Sequence, residues 1–393
     1  MNCVLRHLSR AAGLANLQPG DQITAPVDLA FTHDGGGPAT VDAFTQAGFD
    51  SVTNPECVMF CFDHGIPAPT ILSREGHNKV KTFARQYGTR LYDKGQGVVH
   101  QVILEEIRPE RGQILVGADG HVATAGGYGA LAFSVKPSEL AQAIHTGRYS
   151  LTVPSVVAVE IGGSIQLPLT AKDIILFLMG KFGVEGLKGR AVVFGGEAVT
   201  HASVADRMTI CNMAAEAGAV TAYVPAPDEQ IGEVAETFRY TADEIPLSVA
   251  CPPNPGNVKP IDELLGLPIQ QVIVGACSSG RIEDMELVVR VLKEAPVHPD
   301  VTMVVVPASR AVAAEMDRRG WSALLREQGA ILVNPGCGPC SGTHQGVMAK
   351  GERVISTTTK NVPGRIGDKE AEIYLASPLV AATAAVHGAF HMP

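Results

Sequence analysis

A chain of 393 residues, 46% of them apolar and 42 of them glycine, can build two or three α/β domains with substantial cores. Its formal charge of −9 comes without a basic tract, which argues against nucleic acid as a partner. No stretch approaches the roughly twenty uninterrupted apolar residues of a membrane span, and the amino terminus lacks a secretory apolar run, so a cytoplasmic setting with reduced thiols is expected.

Along the chain, one pattern recurs at residues 114–119, 191–197 and 269–277: an apolar strand running into a polar loop. Composition and periodicity place a boundary at 154, before PSVVAVEIGGSI restarts a strand pattern, and another at 246, ahead of the proline-rich CPPNPGNVKP. The expected domains are therefore 1–154, 155–246 and 247–393. In the last, the predicted order is strand 269–274, helix 282–294, strand 301–306, helix 310–327 and strand 330–333. Near the end, SPLVAATAAVHGAF reads as helical. Strand alternating with helix is the signature of a parallel sheet, and such sheets bind ligands past the carboxyl ends of their strands.

Three cysteines fall at such ends: Cys277 in VGACSSGRIEDM, and Cys337 with Cys340 in NPGCGPCSG. Glycines 336, 338 and 342 let the backbone wrap a bulky ligand while two thiolates turn inward from one loop. A structural zinc site usually closes itself with a fourth protein ligand, whereas three thiolates point to an iron–sulfur cluster with one open iron. A lone C-x-x-C fits zinc ribbons and redox dithiols as well. Cys3, Cys57, Cys61, Cys211 and Cys251 have no glycine-rich cradle and read as ordinary packing.

In this setting the chain resembles the large subunits of the aconitase superfamily of hydro-lyases, most of all the isopropylmalate isomerase (3-isopropylmalate dehydratase) branch that serves leucine biosynthesis. CSSGRIEDM and GCGPCSG resemble its two cluster segments, and STTTKNVPGRIGD at 356–368 its substrate-arginine segment. FDHGIP at 62–67, GQGVVHQV at 95–102, GADGHVATAGGYGALA at 117–132 and GGEAVTHASVADRMTICNMAAEAGA at 195–219 fall in the family's order. The similarity covers nearly the whole chain. It implies three aconitase-like α/β/α domains around a central cluster site, without the fourth swivel domain. In this branch that domain is a separate small subunit, forming a heterodimer or heterotetramer. It also implies a [4Fe–4S] cluster on Cys277, Cys337 and Cys340, and a hydroxy di- or tricarboxylate substrate.

Removing water from such an acid needs a Lewis acid, a proton donor for the leaving hydroxyl, a base for the adjacent carbon and cations for the carboxylates. The resemblance assigns proton delivery to Asp63 and His64, places His100, Asp119, His121 and Glu197 around the iron-bound hydroxyl or water, and puts Lys360 and Arg365 on substrate carboxylates. Taken singly, each has a plainer reading: His100 as a core group on an apolar strand, Asp119 as a helix cap, Arg365 as exposed charge. No motif-matched residue supplies the carbon base, in the family a serine of the swivelling domain, so the partner is expected to bring it.

Departures from the family pattern cluster at the substrate. Gly120 and Val122 flank His121 where Asp-Ser-His-Thr is usual; Thr358, Thr359, Lys360 and Asn361 replace Ser-Asn-Arg-Asn; Ser278 and Ser279 replace Thr-Asn. At 360 a planar fork becomes a point charge. An altered substrate, as in a homoaconitase-like or secondary-pathway dehydratase, is one alternative; a non-catalytic cluster or zinc protein is the other.

Overall fold

The computed structural model describes residues 1–342 and 344–393. Packing divides them into two compact units: residues 1–94, 103–164 and 187–242 form unit 1, while 95–102, 165–186 and 243–393 form unit 2. Unit 1 thus gathers most of the stretches expected as the first two domains, and two excursions, 95–102 and 165–186, join the third.

Unit 1 holds a five-stranded parallel sheet of β1 (Leu29–His33), β2 (Val58–Cys61), β3 (Arg90–Tyr92), β4 (Ile114–Ala118) and β5 (Leu131–Ser134), ordered 3-2-1-4-5. The helices Gly37–Gln46, Ile71–Tyr87 and Pro137–Thr146 bury Phe44, Val80, Phe83, Leu140 and Ile144 against Phe60 and Val116. A four-stranded parallel sheet follows, with β6 (Ser155–Gly162), β7 (Arg190–Gly195), β8 (Thr221–Tyr223) and β9 (Glu236–Thr241) ordered 8-7-6-9. Ile114, Leu131 and Phe133 of the first sheet share a core with Val156, Val193 and Tyr223 of the second.

Unit 2 is built on a seven-stranded sheet: β10 (Ser248–Ala250), β11 (Val258–Pro260), β12 (Gln271–Gly275), β13 (Thr302–Val306), β14 (Ile331–Leu332), β15 (Arg353–Ser356) and β16 (Glu372–Leu375), ordered 11-10-16-15-12-13-14. The five strands from β16 to β14 run parallel, and β10 and β11 add an antiparallel edge. β12 and β13 are near-continuous aliphatic runs, as expected for strands covered on both faces. The expected helix 310–327 is two helices, Arg310–Arg318 and Trp321–Glu327, because Gly320 between them takes φ +71°. No helix among the described residues is long and apolar enough to cross a membrane.

Both the five-stranded and the seven-stranded sheet have a switch point, at β1/β4 and β12/β15, where consecutive connections leave in opposite directions. Loops diverge there and leave a crevice at the carboxyl ends of the strands. In unit 2 the support beneath that crevice is the aliphatic seam of helix Ile282–Leu292, whose Met285, Val288 and Leu292 are fully buried with Val272, Val274 and Val380. Replacing Leu292 with alanine should destabilise the protein by about 2–5 kcal/mol in denaturant titration.

Candidate active site

In unit 1 the loops past β1, β2 and β4 carry Asp34, the pair Asp63 and His64, and Asp119. His64 Nδ1 lies 2.6 Å from Asp63 Oδ1, and the His64 ring stacks on His33 with centroids 3.9 Å apart. The Gly35 N–H donates to His33 Nδ1 (3.0 Å), so in the neutral ring the proton sits on Nε2, which reaches Asp119 Oδ2 at 3.2 Å. Asp119 Oδ1 accepts the backbone N–H of His121 (2.6 Å), and His121 Nε2 lies 2.7 Å from Glu216 Oε1. Contacts therefore run unbroken from Asp63 to Glu216.

Asp34 holds this array in place. Its Oδ1 accepts the N–H groups of Asp63 (3.0 Å) and His64 (2.9 Å), and its Oδ2 accepts that of Gly65 (2.7 Å) and faces His77 Nε2 at 3.3 Å. Although burial opposes its charge, the His77 contact, the His64 charge and these N–H donors hold the Asp34 carboxyl far below the usual range. His33, Asp34, Asp63 and His64 offer ligand atoms within 4.8 Å of one another, a spacing that suits a cation. Their hydrogen bonds already commit those atoms to the network.

For His64, burial disfavours the imidazolium, but the carboxylates of Asp63, Asp34 and Asp119 outweigh it and raise the ring to about 9. The ring is thus protonated at neutral pH, with Nδ1 committed to Asp63.

The sequence assigned Glu197 to this group. It instead opens the short helix Glu197–Thr200 after β7 and is exposed; the carboxylate that meets His121 is Glu216. Glu216 follows helix Val204–Asn212, which is fixed by the Asn212 Nδ2 bond to Thr124 Oγ1 (2.8 Å). The available signal was an acid inside the apolar run CNMAAEAGA. Asp34 and His33 were missed too. Val122, read as a lost substrate hydroxyl, is 2% exposed and belongs to the core.

In unit 2, Cys277, Cys337 and Cys340 are each 5–6% exposed and form one buried group with Val98, Ala276 and Ala308. Gly275 at φ +131° and Ala276 at φ +62° turn the chain off β12 so that Cys277 sits on the one-turn helix Ala276–Ser279. Cys337 caps the 3₁₀ turn Gly338–Ser341, which contains Cys340. A Cβ on Gly342 would collide with the Arg365 carbonyl, and one on Gly338 with Val306. The glycines are needed because the cysteine loop lies against its neighbours. Residues Val99–Val102 form a helical turn, not the strand expected, and carry His100, 4% exposed, two residues after Val98.

Cations surround the thiols. Arg365 Nη2 reaches Cys340 Sγ at 3.6 Å, while its buried Nε has no hydrogen-bond partner. Burial opposes the Arg365 charge, but the sulfurs of Cys340, Cys337 and Cys277 more than offset it. Arg281, 3% exposed, donates Nη2 to the Cys277 carbonyl (2.8 Å). The buried Ser279 Oγ, Thr359 Oγ1 and Asn361 Oδ1 also lack partners. Buried polar atoms are rarely left unpaired, so these mark a place for a bound group. By contrast, burial pushes the Cys3 thiol up to about 12 and the Cys251 thiol up to about 11, and also raises Cys57, Cys61 and Cys211, consistent with packing roles. Lys360 is half-buried on the segment after β15.

The sequence matches the model of the Aconitase family (aconitate hydratase) over residues 6–245 and 254–388. The chain belongs to the aconitase family. It is a hydro-lyase of the aconitase type. This aconitase-family chain is 38% identical to 3-isopropylmalate dehydratase large subunit 1 of Methanopyrus kandleri, across 97% of this chain and 96% of the relative. It is 36% identical to a probable methanogen homoaconitase large subunit of Methanothermobacter thermautotrophicus, across 100% and 97%. Among solved structures, the holo form of Thermococcus kodakaraensis aconitase X shares the fold, with a TM-score of 0.54 at 13% identity over 91% of this chain and 89% of that one.

The raised His64 pKa has a thermodynamic consequence. A ring at about 9 when folded and about 6.5 when unfolded contributes stability that is fully present below pH 6.5 and lost as pH rises through 9. Wild type should therefore lose on the order of 1–3 kcal/mol relative to His64→Gln between pH 6.5 and 9.5, measured by urea titration at each pH. Parallel pH profiles for the two proteins would exclude the raised pKa.

Proposed function

We propose that this chain is the large subunit of a dehydratase that interconverts 2- and 3-isopropylmalate, or a related hydroxy acid, with a [4Fe–4S] cluster held by Cys277, Cys337 and Cys340. The observation that carries this reading is the buried group of three thiols with Arg365 on one sulfur and unpaired polar atoms in the adjoining segments. Three thiolates leave one iron of such a cluster without a protein ligand, and when bound the cluster supplies a Lewis acid for the substrate hydroxyl.

The chain's own residues do the rest. His64, protonated below about pH 9, gives its Nε2 proton to the departing hydroxyl, and Asp63 steadies the imidazolium. Asp119 and His121, with Glu216 behind the latter, hold the expelled water, and His100 is assigned to the same step. Arg365 takes a substrate carboxylate through the fork that its unpaired Nε leaves available, and Lys360 adds a second positive charge. Glu197 keeps no role in this scheme.

The base for the carbon-bound proton comes from a small swivel-domain subunit, assembled with this chain as a heterodimer or heterotetramer. The relatives' designation as large subunits supports this. A homoaconitase-type substrate is the second reading, favoured by the methanogen relative and by Lys360 in place of the family's arginine.

Anaerobic iron–sulfide reconstitution should give broad visible absorption that air bleaches, and Cys277→Ser, Cys337→Ser or Cys340→Ser should lose it. Variants with wild-type iron content and spectrum would refute the cluster assignment. With the cluster loaded, alkene formation should be followed in the ultraviolet over isopropylmalate and homoaconitase substrates. Turnover is expected only when the small subunit is added; equal rates without it would overturn the two-subunit reading.

A further inference from the structure

One buried charge takes no part in that scheme. Lys172, near the start of helix Ala171–Phe182, is 1% exposed. Its Nζ donates to Ser278 Oγ (3.2 Å), the Thr357 carbonyl (2.9 Å) and the Thr358 carbonyl (2.8 Å), and Ser278 Oγ in turn donates to the Thr357 carbonyl (2.6 Å). Ser278 directly follows Cys277, and Thr357 and Thr358 lead from β15 toward Lys360 and Arg365. The ammonium therefore clamps the cysteine turn to the substrate-arginine segment. Serving three acceptors uses all three of its protons, so this geometry requires the charged form.

Burying an ammonium is costly unless negative charge lies close by. Lys172 shares its unit with the Cys277 and Cys340 thiols and the Asp284 and Asp173 carboxylates, which favour its charge. Arg281 on the Cys277 carbonyl and Arg365 on the Cys340 sulfur act at the periphery of the thiols. Arg281 ties the Cys277 turn to Gln101, whereas Lys172 is the cation that ties it to residues 357 and 358.

We infer that Lys172 is a positioning residue and fixed countercharge for the cysteine centre: it holds the Cys277 turn against residues 357 and 358 and balances the negative charge of a cluster bound there. The inference rests on the cluster reading above. A reduced cluster carries one more negative charge than an oxidised one, so a neighbouring buried cation favours reduction.

The test uses full-length wild type, Lys172→Met, Lys172→Gln and Lys172→Arg, each reconstituted anaerobically. Iron and sulfide content and the midpoint potential are measured by dye-mediated titration followed by electron paramagnetic resonance. Lys172→Met and Lys172→Gln should both shift the potential negative and release iron to a chelator faster, whereas Lys172→Arg should stay near wild type. A wild-type potential in either neutral variant would overturn the inference, as would an equal negative shift in Lys172→Arg. Failure of the wild type to take up iron would instead overturn the cluster reading.

Discussion

The turn that ends β12 is the constraint on which the cysteine group depends. Gly275 adopts a backbone that side chains rarely reach, and a Cβ there would strike the Val306 carbonyl, so the chain must leave the sheet hard against its neighbour. Ala276 then takes a left-handed conformation that costs a residue with a Cβ about 1–2 kcal/mol. Such strain persists only where the surroundings over-determine it. Here Gly275 N–H is held by Thr357 Oγ1 at 2.9 Å and Ala276 is fully buried with the thiols. Because β12 and β15 are adjacent at the switch point, one turn sets both the first cysteine and the segment that continues to Arg365.

Unit 1 solves a different problem, that of keeping several carboxylates and imidazoles together without mutual repulsion. The solution is alternation: carboxylate, imidazole and carboxylate follow one another from Asp63 to Glu216, with the His33–His64 stack joining the halves. Asp34 lies behind the array and spends its oxygens on backbone N–H groups and His77, so its charge fixes a loop and does not compete for the proton on His64. In low-dielectric surroundings each such contact is stronger than in water, and each unpaired member would be correspondingly costly.

Unit 2 carries the opposite charge pattern. Lys172, Arg281 and Arg365 gather about sulfur and carbonyl groups, as a site built for an electron-rich ligand requires. Unit 1 thus concentrates carboxylates and imidazoles, and unit 2 concentrates thiols and cations.

The sequence by itself determined the fold class and the family, and with them the hydro-lyase class. Apolar strands at 114–119, 269–274 and 301–306 lie within a residue or two of β4, β12 and β13, because aliphatic runs bounded by glycine and polar residues admit few other conformations. Cys277, Cys337 and Cys340 and the Asp63 and His64 pair were legible because those side-chain types recur at motif spacing. What only the tertiary structure decided is which partner each group meets. Glu216, and not Glu197, faces His121, since the choice rests on helix Val204–Asn212 packing against Thr124. Asp34, His33 and Lys172 carry no motif; each acquires its role from groups at least 29 residues away in the chain, as the Asp34 bond to the Asp63 N–H illustrates. A local pattern encodes strand, turn and helix, but pairing between distant side chains follows from sheet order, and sheet order is settled only when the chain packs.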